Sequence, residues 1–278
     1  MFPPERIVCL TEETVETLYL LGEERRIVGI SGYTVRPPRA RREKPRVSAF
    51  TSADIPKIVA LKPDLVLTFS DLQADIAAEL IRRGVDVHAF NQRSVAEILD
   101  MIRTLGALVG DAARAERLAQ DLADGVAQIK VRTARLRRRP KVYFEEWDDP
   151  MISGIAWVSE LIEAAGGSDI FADRAADKSA KERIVTAQDV IARDRHHRRL
   201  VVRQEISSGE GDQAAGFRPR SRGAARRAPR DQIAADPAAR ASRSDRRPRR
   251  ACGNRRRCLL RCGSGESIVI RFLKICIE

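Results

Sequence analysis

Cysteine is scarce in the first 194 residues, where Cys9 stands alone, so no disulfide can close within that stretch. Apolar runs are short. None approaches the roughly 18–20 residues that cross a bilayer, which excludes a membrane-spanning helix. The opening residues, Met1-Phe2-Pro3-Pro4-Glu5-Arg6, lack a basic region followed by a long apolar stretch. No secretory signal is therefore expected in the chain as written, which on that ground reads as cytoplasmic. The common catalytic signatures are missing too: there is no GxGxxG, Walker loop, HExxH or Ser-His-Asp order. No catalysis, no resident cofactor and no metal site are expected.

Aromatic residues make up 5% of the 278 residues, and both tryptophans and all three tyrosines precede residue 195. Charge is just as uneven. Of 51 Lys+Arg and 39 Asp+Glu (formal net +12), residues 1–194 hold 29 and 31, a net of −2; residues 195–278 hold the other 22 and 8, a net of +14. A total of +12 would point to nucleic acid or an anionic membrane. Divided, it describes only the last part of the chain. Residues 195–250 contain 16 arginines in 56 positions and no periodicity that buries a face, so they read as a disordered basic tail. Cys252, Cys258 and Cys262 have five and three intervening residues, a spacing that matches no usual zinc site.

Before residue 195 the pattern is regular. Ile7 to Leu10 is a short strand, and Thr11-Glu12-Glu13-Thr14 opens a helix marked by Val15, Leu18 and Leu21. Ile27 to Ile30 is the next strand, turning at Ser31-Gly32-Tyr33. Strand-like Val47 to Phe50, helical Ile55 to Leu61, strand Leu65 to Phe69, helix Leu72 to Arg83 and strand Val85 to Phe90 come next. Ser94 and Glu97 form a capping box for a helix ending near Gly110. This alternation predicts an α/β fold with a parallel sheet. Asp111 to about Arg138 reads as one long amphipathic helix of about 40 Å. Val142 to Phe144 restarts a strand, with Glu145-Glu146-Trp147-Asp148 as a loop after it. Trp157 to Ala165 is helical, and Thr186 to Ala192 is one more short capped helix.

The run Ile58-Val59-Ala60-Leu61-Lys62-Pro63-Asp64-Leu65-Val66-Leu67, placed after the Thr-Glu-Glu-Thr helix, resembles the substrate-binding proteins of ABC importers for cobalamin and iron-siderophores. Ser153-Gly154 through Trp157, and Gly166-Gly167-Ser168-Asp169-Ile170-Phe171, resemble that family's second-lobe helix and turn. The resemblance covers residues 6 to about 194, and Glu145-Glu146-Trp147 is closest to the cobalamin-binding branch. It implies two Rossmann-like lobes joined by a long helix, with the ligand in the cleft between them. The divisions are then a lobe at 1–110, a bridging helix at 111–138, a partial second lobe at 139–194 and an arginine-rich tail at 195–278. A monomer working outside the cytoplasmic membrane with an ABC permease is implied, its cargo cobalamin, a related corrinoid, haem or a ferric chelate. Where the family often carries an acidic permease-docking residue, this chain has Pro56-Lys57, with Asp54 two residues earlier.

Ligands of open α/β folds bind at the carboxyl ends of strands. That rule selects Thr11, Glu12, Glu13, Tyr33, Ser70, Asp71, Asn91, Gln92, Glu145, Glu146 and Trp147, and Trp157 joins them as a helix-face aromatic. Tyr33 and Trp147 offer flat rings with a polar edge, suited to a corrin. Thr11, Glu12 and Glu13 read equally well as a helix cap, Trp157 as core, and His88 as a structural residue inside its strand. Two rivals stand beside this reading. One is an arginine-rich nucleic-acid binder using the tail, although Phe217 and Phe272 are that region's only aromatics for stacking. The other is an enzyme using the Glu12-Glu13 and Glu145-Glu146 pairs.

The tail has a further reading. The resemblance places a strand where Arg195 begins. Read one base later with GC-rich codons, residues 195–219 permit an apolar strand and a Gly-Ser-Trp loop, and residues 229–251 permit a C-terminal helix. Arg, Ala, Pro and Gly are the residues whose codons can be built wholly from G and C. An altered reading frame from near Asp194, truncating the second lobe, is therefore expected. The gene's nucleotide sequence tests it.

Overall fold

The central strands of the first sheet are apolar runs whose alternate side chains enter opposite cores. Ile7 and Cys9 of β1 (Ile7–Cys9) face one core, while Val8 and the adjoining Leu10 face the other. The same division separates Leu65 and Leu67 from Val66 in β4 (Leu65–Phe69). Strands buried on both faces belong to parallel sheets covered by helices on each side. The computed structural model describes residues 2–177, 179–193 and 199–203, and it has that architecture.

The first sheet is wholly parallel, in the order β3-β2-β1-β4-β5, with β2 at Ile27–Ser31, β3 at Arg46–Ser48 and β5 at Val87–Phe90. Helices α1 (Glu12–Leu20), α5 (Val95–Leu108) and α6 (Ala112–Thr133) pack on one face. Helices α3 (Ile55–Ala60) and α4 (Ala74–Arg82) pack on the other, with the short α2 (Ala40–Glu43) before β3. Strand order reverses between β1 and β4, the switch point where open α/β sheets leave a crevice. Here Gln73 fills that crevice. It is 1% exposed. Its amide nitrogen donates to Leu10 O (3.3 Å) and Phe50 O (2.8 Å), and its amide oxygen accepts from Phe69 N (3.0 Å).

The second lobe is a smaller sheet built around β6 (Lys141–Asp148). Strand β7 (Met151–Ser153) pairs with it antiparallel, and β8 (Ser168–Asp169) and β9 (Arg199–Arg203) pair parallel. Glu145 has both Ser153 and Arg203 as partners, so β7 and β9 lie on opposite edges of β6. Helices α7 (Ala156–Ala164), α8 (Ala172–Ala175) and α9 (Ala187–Arg193) complete the lobe.

Three expectations are corrected. Glu145 to Asp148 are not a loop: β6 runs through them, because the Asp149-Pro150 turn folds β7 back to supply their hydrogen-bonding partners. The bridging helix ends at Thr133 rather than Arg138, for a length of about 33 Å over its 22 residues. Beyond Thr133 lies the like-charged run Arg135-Leu136-Arg137-Arg138-Arg139 closed by Pro140. The Thr133 hydroxyl bonds Ala164 O at 2.7 Å, fixing this end against α7. Third, order does not stop at Asp194. Leu200-Val201-Val202 is a short β-favouring run, and as β9 it pairs residue for residue with Val142-Tyr143-Phe144. The strand that the resemblance places after the last helix is thus formed by the chain as written. The remainder of the expected basic tail, residues 195–198 and 204–278, lies outside the described residues.

The bridging helix is held to the first lobe by a close approach. A Cβ added to Gly106 of α5 would stand 2.1 Å from the Ala115 Cβ of α6. Gly106→Ala is therefore expected to cost about 1–3 kcal/mol by overpacking, and Gly106→Ala/Ala115→Gly to recover part of that. Urea titration of both variants checks this, and a single variant as stable as the parent refutes it. Gln73→Leu is expected to cost about 2–4 kcal/mol, because it leaves buried main-chain groups unpaired. That loss reads as a drop of roughly 5–15 °C in thermal midpoint; an unchanged midpoint would show that the clamp carries no weight.

Candidate functional site

All five strands of the first sheet run the same way, so their carboxyl-end loops share one rim. Thr11 occupies the N-cap position of α1 with extended backbone (φ −136°, ψ 163°), yet its hydroxyl makes no capping bond to the helix. It lies against the Glu13 carboxyl instead. The helix start is served by its two acidic residues, Glu12 and Glu13, beside the positive end of α1. Both carboxyls are partly buried. Burial first, and then the neighbouring Glu13, pushes Glu12 up to about 7, opposed by Arg36 and a backbone bond from Val35. Burial also raises Glu13, opposed first by its own backbone N–H, then by the nearby Thr11 hydroxyl and the Gln92 amide, whose Nε2 donates to Glu13 Oε1 at 3.3 Å. Beneath them, burial pushes the Cys9 thiol up to about 12, which leaves it unreactive.

The neighbouring loops add aromatic and cationic groups. Tyr33 is 54% exposed on the turn after β2, where its N–H donates to Ser31 Oγ at 3.2 Å. Arg36, on the same loop, faces Glu16 at 3.9 Å. Ser70 is buried with a positive φ of 54°. Its N–H donates to Phe90 O (2.8 Å) and its hydroxyl accepts from Leu72 N (3.3 Å). Asp71 is exposed and stands 3.8 Å from Arg93, whose guanidinium also lies 5.2 Å from the Phe69 ring centroid and bonds Asn91 Oδ1 at 3.0 Å. The sequence-selected residues Thr11, Glu12, Glu13, Gln92, Asn91 and Asp71 therefore belong to one connected rim.

On the second lobe, Trp147 is 45% exposed near the end of β6, its Nε1 donating to Asp149 O at 3.0 Å. The register of β6 with β7 shifts between Glu145 and Trp147, which leaves Glu146 unpaired with β7. Glu145 is buried, while Glu146 pairs with Arg183, at 2.5 Å and 3.3 Å from its two terminal nitrogens. Arg183 is 3% exposed and also donates to Ser153 O, which locks the hairpin to the segment before α9. Trp157 is partly buried and packs against Val126, Ile129 and Val158. Its N–H nevertheless reaches the first lobe at Arg93 O (2.9 Å), and Glu160 accepts from Val95 N (2.8 Å). These bonds seat the start of α7 on the start of α5.

Reading the sequence alone missed Gln73, Arg36, Arg93 and Arg183. A lone glutamine straight after a strand and a Ser-Asp turn was the available signal for the first. Arg183 offered none, since Lys181-Glu182-Arg183 looks like a solvated turn. Among the described residues no cluster of three or more His, Cys, Asp or Glu side chains is arranged to hold a metal ion. No described helix is long and apolar enough to cross a membrane.

Known proteins share this arrangement. A family model described as periplasmic binding protein matches residues 7–214, beyond the limit of 194 expected from the sequence. A cobalamin-binding protein of Halobacterium salinarum is 28% identical over 192 residues, covering 67% of this chain and 52% of that protein. A vitamin B12-binding protein of Vibrio cholerae is 30% identical over 176 residues, covering 62% of this chain and 63% of that protein. The chain thus spans about half to just under two thirds of the length of these relatives. Among solved structures, the periplasmic vitamin B12-binding protein of Vibrio cholerae has a TM-score of 0.60 at 24% identity, over 73% of this chain and 77% of that one. A periplasmic haem-binding protein from Roseiflexus sp. RS-1 in apo form has a TM-score of 0.62 at 24% identity, over 71% and 76%. With the family match running through both lobes and the helix between them, the chain belongs to the periplasmic binding protein family.

Proposed function

We propose that this chain binds cobalamin or a related corrinoid in the cleft between its lobes, as the substrate-binding component of an ABC importer and without catalysis. The observation that carries this reading is an exposed aromatic ring on each lobe, Tyr33 after β2 and Trp147 near the end of β6, beside polar side chains. Flat rings with a polar edge suit the face of a macrocycle. Similarity to vitamin B12-binding relatives supports the ligand, and the long α6 between the lobes supports a closure motion about it. The haem-binding neighbour favours a second reading, haem in the same cleft. For docking to a permease the exposed Asp54 stands in place of the family's acidic residue; one of its oxygens caps α3 by accepting from Lys57 N at 3.1 Å.

An altered reading frame from near Asp194 is part of this proposal: the residues after β9 then leave one cleft wall incomplete and weaken binding. Cyanocobalamin titrated into the full chain, monitored by its visible absorbance, is expected to bind more weakly than about micromolar. Micromolar or tighter binding refutes the weakening. A chain re-encoded from Arg195 in the next frame is expected to reach micromolar affinity, and absence of binding by both chains refutes the corrinoid reading. In the re-encoded chain, Trp147→Ala is expected to weaken cyanocobalamin about tenfold or more, the usual effect of removing a central aromatic contact. An unchanged affinity would remove Trp147 from the site.

A further inference from the structure

Arg36 and Arg93 of the rim, and Arg183 of the second lobe, each face a carboxylate. Arg36 faces Glu16 at 3.9 Å and is shared with Glu12; Arg93 faces Asp71 at 3.8 Å; Arg183 pairs with Glu146. Arg39, further along the loop after β2, is turned onto Glu24 at 3.0 Å and onto the Tyr19 ring. Against these stand the partly buried Glu12 and Glu13, adjacent in sequence at the start of α1, with Glu12 accepting a backbone bond from Val35 of the loop that carries Tyr33. An anionic group brought to this rim meets Arg36 and Arg93 each already facing a carboxylate, and two carboxyls already short of water.

We propose that Glu12 and Glu13 make the rim selective for macrocycles whose edge is uncharged amide, and reject rings of the same size that carry free carboxylates. This rests on the corrinoid reading and goes beyond it by naming the property that separates accepted from rejected ligands. An amide edge serves either state of these side chains: its N–H groups donate to an ionised carboxylate, and its carbonyl accepts from a protonated one. A carboxylate edge serves only the protonated state and meets like charge otherwise. Haem, with its two propionates, falls on the rejected side.

The same geometry sets a pH dependence. Glu12 is faced by Glu13, Glu16, Arg36 and the Val35 amide; Glu13 is faced by Thr11, Gln92 and Cys9. A neutral ligand covering these carboxyls removes more water and disfavours their charged forms further. Binding therefore takes up protons, and affinity falls as pH rises through about 7, where Glu12 titrates in the free protein.

The test uses the full chain and two probes with one ring: dicyanocobinamide, with an amide edge and no net charge, and dicyanocobyrinic acid, with seven free carboxyls. Equilibrium dialysis at pH 8 is expected to show cobinamide bound at least about tenfold tighter. Glu12→Gln/Glu13→Gln is expected to shrink that ratio by about tenfold, chiefly by improving the acid. Cyanocobalamin affinity is expected to fall between pH 6 and 8.5 in the parent and to be flat in the double variant. Equal binding of the two probes by the parent overturns the proposal without any variant, as does tighter binding of the acid. If neither probe nor cyanocobalamin binds this chain or the chain re-encoded from Arg195, the corrinoid reading itself has failed, and the proposal with it.

Discussion

The rim of the first lobe hangs on a single amide. In an open α/β sheet the strand-order reversal leaves a crevice that most such folds give to a ligand. In this chain Gln73 occupies it, and one side chain satisfies Leu10 O, Phe50 O and Phe69 N, from three different segments. Only a side chain with an acceptor and two donors can do this; glutamate would lose the donors and leucine everything. The crevice is thereby filled by protein, and Glu12, Glu13, Tyr33 and Arg93 stand on the rim outside it. The clamp also explains why Ser70 can keep a φ of 54°, a region that a residue with a Cβ occupies only at a cost. Its own N–H, its hydroxyl and the Gln73 N–H that reaches Ser70 O at 3.4 Å all hold the turn in place.

The second lobe is anchored in a different way. Among the described residues its sheet makes no hydrogen-bonded ladder with the first, so its position depends on the two ends of α6 and α7. At one end Thr133 bonds Ala164 O, and Gly166 with φ +79° turns the chain back beside Thr133, where a Cβ would stand 2.9 Å from the Thr133 Cβ. At the other end the Trp157 N–H reaches Arg93 O, and Glu160 meets the first free amide of α5 at Val95. Between them, Val126 and Ile129 of α6 pack on Leu161 and Ala164. A motion that keeps α6 as its axis can preserve the apolar contacts and the Thr133 end. It must strain or exchange the polar bonds at Arg93 and Val95. Those two bonds lie beside Asn91 and Gln92 of the rim, so the rim and the lobe position share one loop.

Much of this was legible because local and tertiary demands agree. Ile7 to Leu10 and Leu65 to Phe69 read as buried parallel strands and are so; the Ser94–Glu97 box caps α5 with both of its bonds in place. Legibility failed where a partner distant in sequence decides. Glu145-Glu146-Trp147 is polar enough to read as a loop, and only the returning β7 makes it a strand. Arg199–Arg203 sits in an arginine-rich stretch, and only the waiting edge of β6 makes Leu200-Val201-Val202 a strand. The rim residues that were recognised sit at predicted strand ends. Gln73 and Arg183 were missed because their roles are defined by backbone groups from other segments, which no local pattern encodes.

Charge shows the same lesson on a larger scale. The chain is +12 overall, yet its first 194 residues are −2, and the rim places its arginines against carboxylates. Long-range attraction from a basic segment is screened within about 10 Å at ordinary salt, whereas two carboxyls short of water act on whatever touches them. The Arg183–Glu146 pair illustrates why such pairing is not a stability device. Removing two charges from water costs more than their attraction returns unless further hydrogen bonds complete the set. Arg183 completes it by donating to Ser153 O, and the result is a hairpin held in one position beside Trp147. Geometry is what that pair supplies: it fixes the β6–β7 hairpin against the segment before α9.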